Sequence, residues 1–116
     1  MTRAKGGRLD ERLSFQERTD TTGDGYGNYE AAWAEQFIAR ARRINLRGSE
    51  AVQSARLEGR QPVIFGLRAS ANAKRVTSSW RIVDLNSGTV FNVSGATQTE
   101  DRREIEILAE SGVADG

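Results

Sequence analysis

Residues 79–108 read SWRIVDLNSGTVFNVSGATQTEDRREIEIL, and this stretch decides the fold. Apolar and polar residues alternate over 79–84, 89–93 and 103–108, which is the pattern of half-buried β-strands. The tripeptide Asn-Ser-Gly at 86–88 is a turn signal between two apolar runs and predicts a hairpin. We therefore expect the last third of the chain to form a hairpin followed by one more strand.

Three further strands are predicted upstream. Residues 10–18 alternate, with Leu13 and Phe15 on one face. Residues 62–68 alternate after the only proline of the chain, which costs little at the start of a strand. Residues 34–44 also alternate and favour a strand, although residues 31–35, which include three alanines, fit the start of a helix by propensity. The helical interpretation of this third segment stays open in the sequence.

One short helix is predicted over residues 49–58, which are rich in helix-forming residues. Ser49 is a suitable N-cap and Gly59 a suitable end. Val52 and Ala55 would share one face of this helix. Small polar residues at 69–74 then predict a link between two strands.

About six short strands with one interposed helix indicate a mainly β fold, a small β-barrel or sandwich with flexible loops. A chain of 116 residues fits one domain. We expect that domain at residues 9–110, between a flexible basic arm at 1–8 and a flexible tail at 111–116. Residues 19–28 are dense in glycine, aspartate and asparagine and predict a loop.

The composition excludes several classes of function. The chain has no cysteine and no histidine, which removes disulfide frameworks, thiolate zinc sites, cysteine nucleophiles and the commonest general base. Seventeen basic residues and sixteen acidic ones give a net charge of +1. This near-neutral balance argues against a protein whose main role is to bind nucleic-acid phosphates. No stretch is apolar enough over a sufficient length to cross a bilayer. We therefore expect no membrane partner.

Carboxylates remain as candidates for catalysis. The acidic pairs lie in charged runs beside arginines, whereas a catalytic carboxylic acid needs an apolar pocket that raises its pKa. Asp84, which follows Val83, is the only exception we consider. The Asp- and Gly-rich loop that begins at Asp20 lacks the closing acid of a calcium loop, because Ala31 stands there. We expect no enzymatic activity, no metal, no cofactor and no small-molecule substrate.

Arginines between residues 40 and 47 form the densest basic cluster. Aromatic residues do not interleave with them in the pattern of a nucleic-acid stacking surface. Ion pairs between subunits are therefore favoured over direct contact with DNA, and both interpretations stay open. The predicted interface or channel residues are Arg40, Arg42, Arg43, Arg47, Asp24, Tyr26, Lys74 and Arg75.

The order of these features over residues 9–110 resembles the phage head-tail joining proteins, also called head-closure or stopper proteins. No single segment is diagnostic, and the resemblance lies in order and spacing. The matching segments are the strand at 9–16, the glycine-rich loop at 21–28, the strand that begins at Trp33, the segment at 46–51, the strand at 62–68, the hairpin segments at 79–84 and 90–93, and the strand at 103–108.

The resemblance implies a structural component of the virion neck, assembled in the bacterial cytoplasm. Copies of the chain would form a ring with β-barrel bodies between portal or adaptor proteins and tail proteins, and packaged DNA would pass through the channel. Prophages and gene transfer agents carry similar chains. We expect residues 21–28 and 70–77 to be disordered in the free chain and ordered against neighbours. The alternative is a small DNA-binding β-barrel protein.

Overall fold

The computed structural model describes residues 9–19, 32–44, 46 and 50–112. Within them, six antiparallel strands close into a barrel in the order β1-β2-β3-β6-β5-β4, which confirms the predicted mainly β fold. The elements are β1 Glu11–Thr19, β2 Ala32–Ile44, α1 Glu50–Leu57, β3 Gln61–Arg68, β4 Trp80–Asp84, β5 Val90–Gln98 and β6 Glu104–Ser111.

The long pair β1 and β2 resolves the ambiguity around Trp33. β2 already begins at Ala32, so the helical interpretation of this segment is wrong and the strand is confirmed. The register places Phe15 opposite Phe37 but Gln16 opposite Glu35. Gln36 is thus an extra residue, and a bulge of this kind increases the local twist of a strand pair.

Alternate positions of every strand point into one core, as the period of two requires. The rings of Phe15 and Phe37 are stacked, with centroids 4.6 Å apart. Phe65 and Phe91 meet edge to face at 5.0 Å. Such geometries add to the free energy gained from burying the rings. The fully enclosed large apolar side chains are Phe15, Phe65, Leu13, Leu67, Ile82 and Ile107.

The connection between β3 and β4 crosses one end of the barrel. It contains a 3₁₀-helix at Ala73–Arg75, and both Ala73 and Val76 are buried in the core. The expectation that residues 70–77 are disordered in the free chain is therefore wrong, because two small apolar side chains anchor this segment. The other segment with that expectation, residues 21–28, lies outside the described residues.

Helix α1 ends at Leu57, and Gly59 caps its C-terminus as the predicted stop. The Gly59 N–H donates to the carbonyl of Arg56 at 3.0 Å and the Arg60 N–H to that of Ala55 at 2.8 Å, which is the Schellman pattern. Gly59 has a φ of +85°, a conformation that glycine adopts without steric cost. Val52 and Ala55 are both buried, so their predicted shared face is confirmed. The predicted N-cap at residue 49 lies outside the described residues.

Candidate interface surfaces

Arg43 lies in the mouth of the barrel where β2 ends. Its Cζ is 5.3 Å from the ring centre of Phe65 and 5.4 Å from that of Phe91. Its Nη2 is 3.3 Å from the carboxylate of Glu11 and 3.6 Å from that of Asp84. This arginine therefore closes one end of the core, and its charge is balanced within the chain.

Asp84 is the buried carboxylate of this end. Its Oδ1 accepts hydrogen bonds from the backbone N–H of Asn86 at 2.9 Å and of Ser87 at 3.4 Å. Burial raises the pKa of Asp84, but these hydrogen bonds, another from the Ser87 side chain and the charge of Arg43 together hold it below its ordinary value. A general acid needs the opposite shift, so Asp84 stabilises the β4–β5 turn and the barrel mouth.

Arg42 points outward, in the opposite direction to Arg43. Its Nη2 donates to Oε1 of Glu104 at 2.6 Å and its Nε donates to Oε2 at 3.4 Å, which makes a bidentate ion pair. The bond to Glu104 raises the pKa of Arg42, so this guanidinium is charged at every accessible pH. Gly66, the register partner of Arg42 on β3, leaves the space in which the pair lies.

Lys74 and Arg75 lie at the other end of the barrel, on the 3₁₀-helix. Arg75 donates to Oε1 of Gln36 at 2.7 Å, and its Cζ is 5.4 Å from the ring centre of Trp80. Lys74 is exposed. The two ends of the barrel are therefore each covered by one arginine over buried aromatic rings, Arg43 at one end and Arg75 at the other.

Arg40 is the predicted residue that remains available on the outer wall. It is exposed and lies directly opposite Arg12 of β1. Neither side chain has a hydrogen bond or ion pair with another described residue. Because like charges in directly opposed positions repel, the two arginines destabilise each other. The remaining predicted residues, Arg47, Asp24 and Tyr26, lie outside the described residues.

A polar network covers the same wall beside this arginine pair. The Ser14 hydroxyl donates to Oε1 of Glu35 at 2.7 Å and accepts from Nε2 of Gln16 at 3.1 Å. Arg81 donates to Oε1 of Gln16 at 2.7 Å, and its Cζ lies 4.6 Å from the ring centre of Trp33. The sequence-based search missed Arg12 and Arg81 because it grouped arginines by proximity along the chain. Strand alternation, which places both residues on outward positions, was the signal that could have found them.

The described surface offers no obvious cofactor site. A depression of about 730 Å³ beside the β5–β6 hairpin is lined largely by charged residues, including Arg42 and Glu104, which are already paired. Another of about 530 Å³ contains Arg43 and Asp84. Among the described residues no group of three or more acidic side chains is placed to hold a metal ion. The described helices include none with the length and apolar character needed to cross a membrane.

The sequence model of the phage head completion protein family matches residues 4–112, nearly the whole chain. The chain belongs to the phage head completion protein family. This membership confirms the resemblance to head-closure proteins and assigns a structural, head-related role; the family is not one of enzymes. No curated protein matches the chain.

Two solved structures share the fold of this head completion family member. Protein SF1141 from Shigella flexneri 2a, a solution structure, is 24% identical with a TM-score of 0.67, covering 95% of this chain and 98% of that one. A chain from the virion of a native gene transfer agent particle is 19% identical with a TM-score of 0.62, covering 94% of this chain and 99% of that one. At such identities the likeness concerns the fold.

Proposed function

We propose that the chain is a structural component of the virion neck, in which copies form a ring that joins the DNA-filled head to the tail. The match of residues 4–112 to the head completion family carries this proposal. The fold shared with a chain of a gene transfer agent virion supports it. Portal or adaptor proteins on one side and tail proteins on the other are the proposed partners, with packaged DNA passing through the ring.

The chemistry of the described residues agrees with a structural role. Its buried carboxylate, Asp84, is held ionised by hydrogen bonds. Its partly buried arginines, Arg42 and Arg43, are paired with carboxylates and aromatic rings of the same chain. These groups hold the barrel together, and Arg40 is left as the member of the predicted cluster that faces outward without a partner among the described residues.

Electron microscopy of particles from producing cells tests the proposal. We expect density that fits this barrel in a ring between the head and the tail. In cells that lack the chain, we expect heads that package DNA but do not retain it or acquire tails. Density for the chain only in the head shell or only in the tail tube would exclude the neck position.

Direct binding of DNA is the second candidate function, and the exposed pair Arg12 and Arg40 is the observation that favours it. A protein that binds phosphates releases counterions, so its affinity falls steeply with salt. The purified chain would then retard duplex DNA at low salt and lose this binding as salt rises. Absence of retardation at low salt would exclude this function.

A further inference from the structure

The outer wall of the barrel carries two different mixed surfaces on opposite sides. We call the first the arginine face and define it by Arg12, Ile38, Arg40, Val83 and Leu85. It spans β4, β1 and β2, because Ser14 of β1 is the register partner of both Ile38 and Val83, and the N–H of Leu85 donates to the carbonyl of Arg12 at 2.9 Å.

The second surface is the glutamate face, defined by Ile64, Glu106, Leu108 and Glu110. Ile64 and Leu108 are register partners on β3 and β6, and the two glutamates precede and follow Leu108 on the outward side of β6. In the closed order of six strands, two strands separate β1 from β6 in either direction. The two faces therefore lie on opposite walls of the barrel.

Exposed apolar side chains concentrate on these two faces. Ile38 is 44% exposed and Leu85 42% exposed on the arginine face, and Leu108 is 41% exposed on the glutamate face. They are three of the four exposed large apolar side chains of the described residues, and the fourth is Leu57 on α1. An apolar centre with a charged rim, rich in arginine, is the anatomy of a protein interface.

The charges at the rims are complementary. Arg12 and Arg40 lie side by side without a carboxylate from the described residues. On the opposite wall Glu110 is bound to Arg60 at 3.5 Å, whereas Glu106 acts on Arg42 only through its charge. Glu106 is therefore the carboxylate of this face that is left for an arginine of a partner.

We propose that the arginine face of one copy docks on the glutamate face of the next, with Ile38 and Leu85 against Leu108 and with Arg12 and Arg40 against Glu106. This inference rests on the proposed ring. Two different faces on opposite walls make a head-to-tail contact, and such contacts close into a ring when the rotation between copies closes. DNA fits the arginine face less well than a second copy does. Phosphate oxygens need hydrogen-bond donors, and Ile38 and Leu85 offer none.

Disulfide cross-linking tests the contact directly, since the chain has no cysteine of its own. A double variant carrying both Ile38→Cys and Leu108→Cys is oxidised as concentrated purified protein and in assembled particles. We expect a ladder of dimers, trimers and larger species. The matched control combines Ile38→Cys with Leu57→Cys, which is more exposed but lies outside both faces, and we expect no ladder from it.

Charge reversal gives a second readout of the same contact. Arg40→Glu and Glu106→Arg are each expected to weaken self-association at least tenfold, as reversed interface charges do. A mixture of the two variants should restore it, because each supplies the face that the other needs. Arg103→Glu, at an exposed arginine of the β5–β6 connection outside both faces, changes the net charge equally to Arg40→Glu and should have no effect.

The outcomes separate this inference from the proposed function. A ring of this chain in the neck without a ladder from the double variant, or an equal ladder from the control, would overturn the contact alone. A chain that stays monomeric when purified and gives no ladder in particles would overturn it too.

Salt-dependent DNA binding that is abolished in Arg12→Glu/Arg40→Glu, with no ladder, would assign the arginine face to DNA instead. Absence of the chain from the neck would refute the function, while the ladder of the purified protein would still decide the contact.

Discussion

Arg43 and Asp84 meet at the barrel mouth, where Nη2 of the arginine lies 3.6 Å from Oδ2 of the aspartate. The two residues come from β2 and β4, which β1 separates in the sheet. The same carboxylate accepts the N–H of Asn86 through its other oxygen at 2.9 Å. One side chain thus links the end of one strand, the turn after it and the arginine that covers the core.

Acid should weaken the fold through Asp84. Because the folded state lowers the pKa of this carboxyl from its ordinary 3.8, its contribution is complete above that pH and is lost as the pH falls through the folded pKa. We expect Asp84→Asn to lose about 1–2 kcal/mol near neutral pH and to approach the parent protein at low pH. Urea unfolding against pH measures this difference.

Asp101 needs a control in this experiment. Hydrogen bonds from the backbone N–H of Arg103 and the Thr99 hydroxyl lower its pKa as well. Both proteins should therefore carry Asp101→Asn, which leaves Asp84 as the difference between them. An equal loss of stability for Asp84→Asn at every pH would contradict the assignment.

Gly66 and Arg42 should show strong coupling. A Cβ at position 66 would lie 3.3 Å from the guanidinium of Arg42 and from Oε1 of Glu104, so Gly66→Ala must shift the ion pair by a few tenths of an ångström. In a chain with Arg42→Ala we expect the same substitution to stabilise by roughly 0.5–1 kcal/mol, the usual gain of alanine over glycine in a strand. A double-mutant cycle of urea midpoints measures the coupling, and additive effects would argue against it.

Gly112 should tolerate alanine less well than Gly88. Both have positive φ angles, +85° and +79°. Alanine at either position should therefore lower the free energy of unfolding by roughly 1 kcal/mol through backbone strain. A Cβ at 112 would also collide with the carbonyl oxygen of Gly59, whereas a Cβ at 88 would meet open space. We expect Gly112→Ala to lose at least twice as much stability. Equal urea midpoints for the two variants would be inconsistent with the collision.

Ile107 and Leu108 offer a matched pair of neighbours on opposite sides of β6. Ile107 is fully buried and Leu108 is 41% exposed. We expect Ile107→Ala to destabilise the monomer by about 3 kcal/mol, through lost burial and the cavity it leaves, and Leu108→Ala by less than about 0.5 kcal/mol. Thermal or urea unfolding of the dilute protein measures both. Similar losses would mean that the register of β6 differs from the one described.

Strand positions and most of the core follow from alternation, because a period of two is visible in any single strand. Leu13, Phe15, Trp80 and Ile82 are buried where the pattern places them. The burial of Ser14 to 1% exposure does not follow from the pattern. It depends on the neighbouring strands, whose residues reach Ser14 only in the folded register.

The candidate site was predicted less well for the same reason. Arg40, Arg42 and Arg43 form one cluster along the chain, yet β2 sends Arg43 into the barrel mouth and Arg42 to Glu104, which is 62 positions away. Arg12, the neighbour of Arg40 in space, lies on a different strand. Charged residues that cluster along a strand must therefore be assigned to the two sides of the sheet before they are taken as one surface.

The position of β6 between β3 and β5 has a consequence for how the chain folds. Without it, the order β5-β4-β1-β2-β3 is an open sheet, and closure waits for the last strand of the chain to pair with β3, which lies far upstream in the sequence. Folding that depends on such distant pairing is slow. Until β6 inserts, the free edges of β3 and β5 can accept the β6 of another copy, so dilute refolding should give closed monomers and concentrated refolding exchanged dimers.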